Sequence, residues 1–407
     1  MREQYDTVII GGGQAGLAMS YCLRERGYQH IILERKRVAE RWHSERWDSL
    51  AFQFPNWALQ LPGFSYKGEQ PDAFAHYREV ASFVEAYARF IDAPVRSNTE
   101  VTSLRLDPET RKFTIDTNNA TIGASRVIVA TGPFQGPSLP SLSATLASDL
   151  FQVHASDYRN PGQLPPGAVL VVGSGASGCQ IAEELYQCGR TVYLSVSRHR
   201  RAPRRYRGRD ITWWLISMGR MDQRIDSFPG RQMPPSVVIT GVNGGHDVNI
   251  RDFARDGVVV LGRLVGVDGS KLVFGSDAEE ILAASDKAYL DFKRIADDYV
   301  INNDLDLELE EHATIDRAPV KHVATVDLKA ANIRSVIWST GYRFDFSWLK
   351  APILDGRGAP VQERGVTNCE NLFLLGLHWM HTFKSGVLFG VGEDAAYLSD
   401  YIDRQRH

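Results

Sequence analysis

Gly11, Gly13 and Gly16 carry the spacing Gly-x-Gly-x-x-Gly, and Gly173, Gly175 and Gly178 repeat it 162 residues later. In such a turn the first glycine permits the tight bend and the second lets backbone approach a pyrophosphate. The third lets helix and strand pack closely. The helix that follows presents unpaired N–H groups to the phosphates. Gln14 and Ala15 complete the first turn, Ser174 and Ser177 the second. Glu34, 18 residues beyond Gly16 and next to Arg35, is placed to accept hydrogen bonds from a ribose diol. The corresponding end of the second unit reads Ser195-Val196-Ser197-Arg198 and has no acid. An arginine there suits a ribose 2′-phosphate, which a carboxylate would repel. The first unit is therefore expected to hold FAD and the second NADPH.

Elements in register must position these turns. Thr7–Ile10 and Ala168–Val172 read as buried strands leading into the glycines, and His30–Leu33 and Thr191–Leu194 as the strands after each helix. Val127-Ile128-Val129-Ala130-Thr131-Gly132 and Val336-Ile337-Trp338-Ser339-Thr340-Gly341 are near copies of one another, strands expected to mark crossings between two cofactor domains. The expected fold class is α/β with two Rossmann-like domains, the NADPH domain inserted in the FAD domain. The expected boundaries are residues 1–160, 165–330 and 335–407. Pro161-Gly162 with Pro165-Pro166-Gly167 reads as the outgoing linker, and Asp316-Arg317-Ala318-Pro319 as the incoming one.

Arg198 opens a run of seven arginines in twelve residues, readable as a cradle for the 2′-phosphate or as a loop paired with local acids. Thr212 through Met221 reads as an amphipathic helix whose aromatics pack in a core or line a substrate passage. The acids from Asp297 to Glu311 read as a solvated face. Leu372–Gly376 is a last buried strand, and a helix is expected to start near Gly386 with its positive end toward the flavin.

A hydrophobic fraction of 43% and a charged fraction of 23% describe a globular protein. The net charge of −3 gives no field to recruit nucleic acid. Apolar runs fall short of the roughly 20 residues of a spanning helix, and no signal peptide is expected at the N-terminus. Four scattered cysteines give neither a disulfide framework nor a redox pair. A cytoplasmic protein without nucleic-acid or membrane partners, monomeric or homodimeric, is expected.

Phe151 to Pro161 resembles the linker signature of class B flavin-dependent monooxygenases, Phe-x-Gly-x-x-x-His-x-x-x-Tyr, with Trp last in Baeyer–Villiger members. His154 and Tyr158 match its final pair, whereas its Phe and Gly fall on Ser148 and Leu150. Trp47 to Asn56 is similar to the segment that passes over the flavin in flavin-containing and plant indole-pyruvate monooxygenases, where many members have an asparagine at the place of Gln53. The resemblance implies that NADPH reduces FAD, that oxygen forms a C4a-hydroperoxyflavin, and that one oxygen atom passes to a small organic substrate. Nitrogen or sulfur oxidation is favoured by Tyr158. Baeyer–Villiger or 2-oxo-acid decarboxylating chemistry, an NADPH-dependent reductase and a flavin-binding sensor stand as alternatives. Gln53, His154 and Tyr158 are the expected catalytic residues, with the Gln53 amide near the peroxide. Trp42, Thr131, Gly132, Ser197, Thr340, Gly341, His381, Thr382, Ser385 and Gly386 join the residues of the two turns as expected cofactor ligands. The abundant tryptophans, Trp42, Trp47, Trp57, Trp213, Trp214 and Trp379, suggest an apolar or aromatic substrate.

Overall fold

The β-branched run before each glycine turn has no polar face to offer water, so it must lie inside a sheet covered on both sides. The computed structural model describes residues 3–229, 234–235, 237–310 and 319–405, and it has two such sheets. In chain order the principal elements are β1 (Glu3–Ile10), α1 (Gln14–Glu25), β2 (His30–Leu33), α2 (Tyr77–Phe90), β3 (Val95–Arg96), β4 (Thr121–Val129), β5 (Phe151–His154), β6 (Ala168–Val172), α3 (Ala176–Gln187), β7 (Val192–Ser195), α4 (Ile211–Ser217), β8 (Val259–Leu261), α5 (Ala278–Asn302), β9 (Ile333–Trp338), β10 (Leu372–Leu374) and α6 (Val391–Arg404).

The first sheet has a parallel centre in the order β10-β4-β1-β2-β3, extended by antiparallel strands. The second is parallel throughout, in the order β5-β9-β6-β7-β8. Successive residues of its strands alternate between two apolar clusters. Val169, Val171 and Ile337 belong to one, Leu170, Val172, Val336 and Trp338 to the other. Both faces are therefore buried, which is why β6 reads as an unbroken apolar run.

The boundaries differ from the sequence reading. β5 and β9 both lie in the second sheet, and the Pro/Gly stretch 161–167 is the return from β5 to β6 inside that unit. β5 and β6 run parallel in that sheet with β9 between them, so the chain must return before it enters β6. The two units meet where Gly136–Pro137 pairs antiparallel with Tyr342–Arg343, just past the paired Thr-Gly copies. Of the expected incoming linker, residues 316–318 lie outside the described residues, as does Glu311. The helix expected over 212–221 ends at Ser217, because Met218 caps it and Gly219 turns the chain with a φ of +67°. The acidic stretch is not simply solvated, since Asp297 accepts from Tyr206 and Arg207, and Glu310 from Lys293. Among the described residues, no helix is long and apolar enough to cross a membrane.

Candidate functional site

The two glycine turns are built alike down to the strand beneath them. Gly11 and Gly173 hold φ values of +114° and +108°, which only glycine adopts without strain. A Cβ on Gly11 would lie 2.6 Å from the Ala130 carbonyl oxygen, and one on Gly173 would overlap that of Ser339. The Ala-Thr-Gly and Ser-Thr-Gly segments are thus the floors on which the turns rest. Gly16 and Gly178 are closed in turn, as a Cβ on either would overlap the first glycine's carbonyl oxygen. Gly13 and Gly175 differ, because a Cβ there would meet nothing within 4 Å. Each caps a twelve-residue helix, so the open space lies where unpaired N–H groups point.

One cavity of about 1570 Å³ runs along both turns. Gly11, Gly13, Gln14, Ala15, Glu34 and Arg35 line it from the first unit, and Gly173, Gly175, Ser177, Gly178, Ser197 and Arg198 from the second. Trp42, Gln53, Thr131, Gly132, His154, Thr340, Gly341 and Gly386 line the space between. Glu34 accepts from the Gly12 N–H at 2.7 Å and the Lys36 N–H at 2.9 Å. Gln14 reaches across to donate to the Gly386 carbonyl at 2.8 Å. Two buried polar atoms in the wall, Trp47 Nε1 and Ser339 Oγ, have no partner among the described residues. Open helix N-termini, a cradle that a Cβ would fill and unmet polar atoms in the wall together suit two dinucleotides.

The arginine run divides. Arg201 pairs with Asp286 at 3.3 Å, Arg204 with Asp210 and Arg207 with Asp297 at 2.7 Å. Arg205 and Arg209 lie over Phe74 and Trp213. Arg198 and Arg200 line the cavity with no ion pair among the described residues. Buried Ser174 holds their loop, donating to the Ser197 carbonyl at 2.9 Å and meeting His199 Nδ1 at 3.1 Å, rather than facing the cavity.

His154 is 5% exposed and spends both ring nitrogens on structure. Nδ1 accepts from the Ser156 N–H at 3.1 Å, which leaves the proton on Nε2 to be donated to the Gly341 carbonyl at 3.0 Å. Burial lowers its pKa and keeps it neutral. His154 therefore ties β5 to the crossing between the units. Tyr158 lies away from the cavity: it is fully buried, and its hydroxyl donates to Glu184 Oε2 at 2.6 Å. Gln53 does face the cavity, and its side-chain amide makes no hydrogen bond among the described residues. Its segment is held by the Phe52 N–H bond to the Ala75 carbonyl at 2.7 Å and by edge contacts from Phe52 to Trp42 and to Phe54.

At the C-terminal end, Phe383–Gly386 is one turn of 3₁₀ helix and the α-helix begins only at Val391. Gly390 lets the chain fold back on that turn, where its Cβ would lie 2.8 Å from the Lys384 carbonyl carbon. His381, Thr382 and Ser385 are not cavity residues, since Ser385 Oγ accepts from the N–H groups of Thr382 at 3.0 Å and His381 at 3.2 Å. Trp214 is fully buried and Trp213 packs beside it, so the cavity wall there is Ile211, Leu215 and Met218. Of three further cavity residues, His378 reads from the sequence as a structural histidine, and Tyr342 and Arg46 were not singled out. His378 opens onto the cavity edge-on to Phe134, and the protein mass around it lowers its pKa. Tyr342 follows Gly341 directly, and Arg46 lies over Trp42, 4.8 Å from the ring centroid. The four-residue spacing of Trp42 and Arg46 was the available signal.

The chain is similar to known proteins. Residues 8–222 match the family described as pyridine nucleotide-disulphide oxidoreductase. The "uncharacterized oxidoreductase CzcO-like" of Geobacillus kaustophilus is 33% identical over 405 residues, 99% of each chain. The probable indole-3-pyruvate monooxygenase YUCCA1 of Arabidopsis thaliana is 32% identical over 192 residues, 46% of each. The structure of a flavin-containing monooxygenase from Stenotrophomonas maltophilia superposes with a TM-score of 0.68 at 19% identity, covering all of both chains, and so shares the fold.

Proposed function

Because the chain belongs to the pyridine nucleotide-disulphide oxidoreductase family, we propose that it is an NADPH-dependent flavin monooxygenase that transfers one oxygen atom to a small organic substrate, with nitrogen or sulfur as the atom oxidised. The observation that carries this reading is the single cavity joining both glycine turns, with Gln53 and an apolar wall between them. FAD on the first turn, reduced by NADPH on the second, would supply the electrons that activate oxygen. The chain's own part is to bind and enclose. Gly11, Gly13 and Gly16 would admit the FAD pyrophosphate and Glu34 its ribose. Gly173, Gly175 and Gly178 would admit that of NADPH, with Arg198 on the 2′-phosphate. Trp42, Phe52 and Phe54 exclude water beside Gln53, whose side-chain amide, without a hydrogen bond among the described residues, is available to donate to an oxygen species. His154 keeps the crossing closed and moves no proton, because both nitrogens are committed.

A disulfide reductase using its own cysteine pair is not supported, as all four cysteines are free and none lines the cavity. The deciding experiment supplies purified, flavin-loaded protein with NADPH and ¹⁸O₂ over a panel of sulfides, amines, ketones and 2-oxo acids. One ¹⁸O atom per product molecule, with sulfide or amine products foremost, is expected. Consumption of NADPH with hydrogen peroxide as the sole oxygen product on every substrate would overturn the reading.

A further inference from the structure

Arg204 belongs to the arginine run, yet it is 1% exposed. A guanidinium that deep is costly unless its donors are met. Nε donates to Asp210 Oδ2 at 2.9 Å, and Nη2 donates to the same oxygen. Nη1 crosses to the other unit and donates to the Gln53 carbonyl at 2.8 Å. The guanidinium lies over Phe74, 4.5 Å from the ring centroid, and the Arg204 N–H donates to Asp247 Oδ1 at 2.6 Å.

The chain beside Arg204 comes equally close to the same segment. A Cβ on Gly241 would overlap the Phe52 carbonyl oxygen and lie 2.8 Å from the Phe74 Cβ. Behind Gly241, Gln180 on α3 donates from Nε2 to the Ile239 carbonyl at 2.7 Å. Arg204 Nη1 also reaches the Thr240 carbonyl at 3.4 Å. A continuous run of contacts thus joins the helix that starts at the second glycine turn to the backbone of Gln53. The Gln53 side chain has no hydrogen bond of its own among the described residues, so its direction depends on that backbone.

We propose that Arg204 is a positioning residue: through the Gln53 carbonyl it fixes the pose in which Gln53 faces the cavity, and it ties that pose to the placement of the second nucleotide unit. The catalytic consequence rests on the monooxygenase reading, whereas the contact itself does not.

Two substitutions reach the same segment by different routes. Arg204→Met keeps the bulk and removes the donors, and Gly241→Ala leaves Arg204 in place but presses on the Phe52 carbonyl. Arg209→Ala is the control, since its guanidinium stacks on Trp213 and touches none of these groups. Hydrogen exchange over residues 50–56 is measured on the purified protein. The rate of flavin reduction by NADPH and the share of NADPH electrons recovered as hydrogen peroxide are measured alongside. Both variants are expected to exchange about tenfold faster over 50–56 and to release a larger share of peroxide. Reduction should stay within about twofold of wild type, a split that general loss of structure would not produce. Exchange over 50–56 equal to that of Arg209→Ala in both variants overturns the proposal. So does faster exchange with an unchanged peroxide share. If wild type takes up no flavin, or makes peroxide alone from every substrate, the monooxygenase reading falls, and the exchange comparison still decides what Arg204 does.

Discussion

At the residue scale, charge and hydrogen-bond accounting separate residues that face ligand from residues that face protein. Arg198 lines the cavity without an ion pair among the described residues, so its guanidinium is available to a phosphate. A charged hydrogen bond contributes about 1.5–3 kcal/mol, roughly ten- to a hundredfold in affinity. Arg198→Ala should raise the KM for NADPH by that factor and leave NADH use nearly unchanged, as rates with each nicotinamide would reveal. Equal use of both by wild type would remove the assignment. Tyr158 stands on the other side of the division. Its hydroxyl is buried against Glu184, so Tyr158→Phe should cost about 1–2 kcal/mol in denaturant unfolding while turnover per folded molecule stays the same. A fall in turnover without a fall in stability would return Tyr158 to the reaction.

At the element scale, the glycines of one turn do different work, and alanine substitution should resolve them. Gly13 has open space where a Cβ would go, so Gly13→Ala should change stability by no more than about 1 kcal/mol while weakening FAD binding at least tenfold. Gly16 is closed by the Gly11 carbonyl, so Gly16→Ala should lower the melting temperature as well. Flavin retention on gel filtration, beside a thermal melt of each variant, would check both. Equal melting losses for the two would mean that the turn is not built as described.

Across the whole molecule, histidines that the fold desolvates set the response to acid. Desolvation by the surrounding protein lowers the pKa of His30, His154, His199, His378 and His381 below the ordinary value of 6.5. Below pH 6.5 the unfolded chain takes up protons that the fold refuses, so their contribution is complete above that pH and declines as pH falls toward the folded values. His246 acts oppositely. Its bond to Glu183 raises its pKa, so its contribution is present in acid and is lost as pH rises through the folded value. With five groups against one, the melting temperature should fall by several degrees between pH 7.5 and 5.5, and His199→Asn should flatten that slope. A melting temperature that rises on acidification would contradict the balance.

How much was legible in the chain follows from the range of the forces involved. The glycine turns, the strands that feed them and the acid or arginine that ends each unit are decided within about thirty residues, so residue type and spacing were enough to place them. The direction of a side chain relative to the cavity was not local. Tyr158 turned inward because Glu184 lies on α3 beneath it, and Ser385 because its hydroxyl met the preceding turn's N–H groups. Arg204 turned inward from its arginine run because the Gln53 carbonyl, 151 residues earlier, came within reach. The sequence by itself determined two dinucleotide turns and the chemistry they invite. Only the packing of the two units against each other decided which residues share the space between them, because that packing depends on the shapes of segments far apart in the chain.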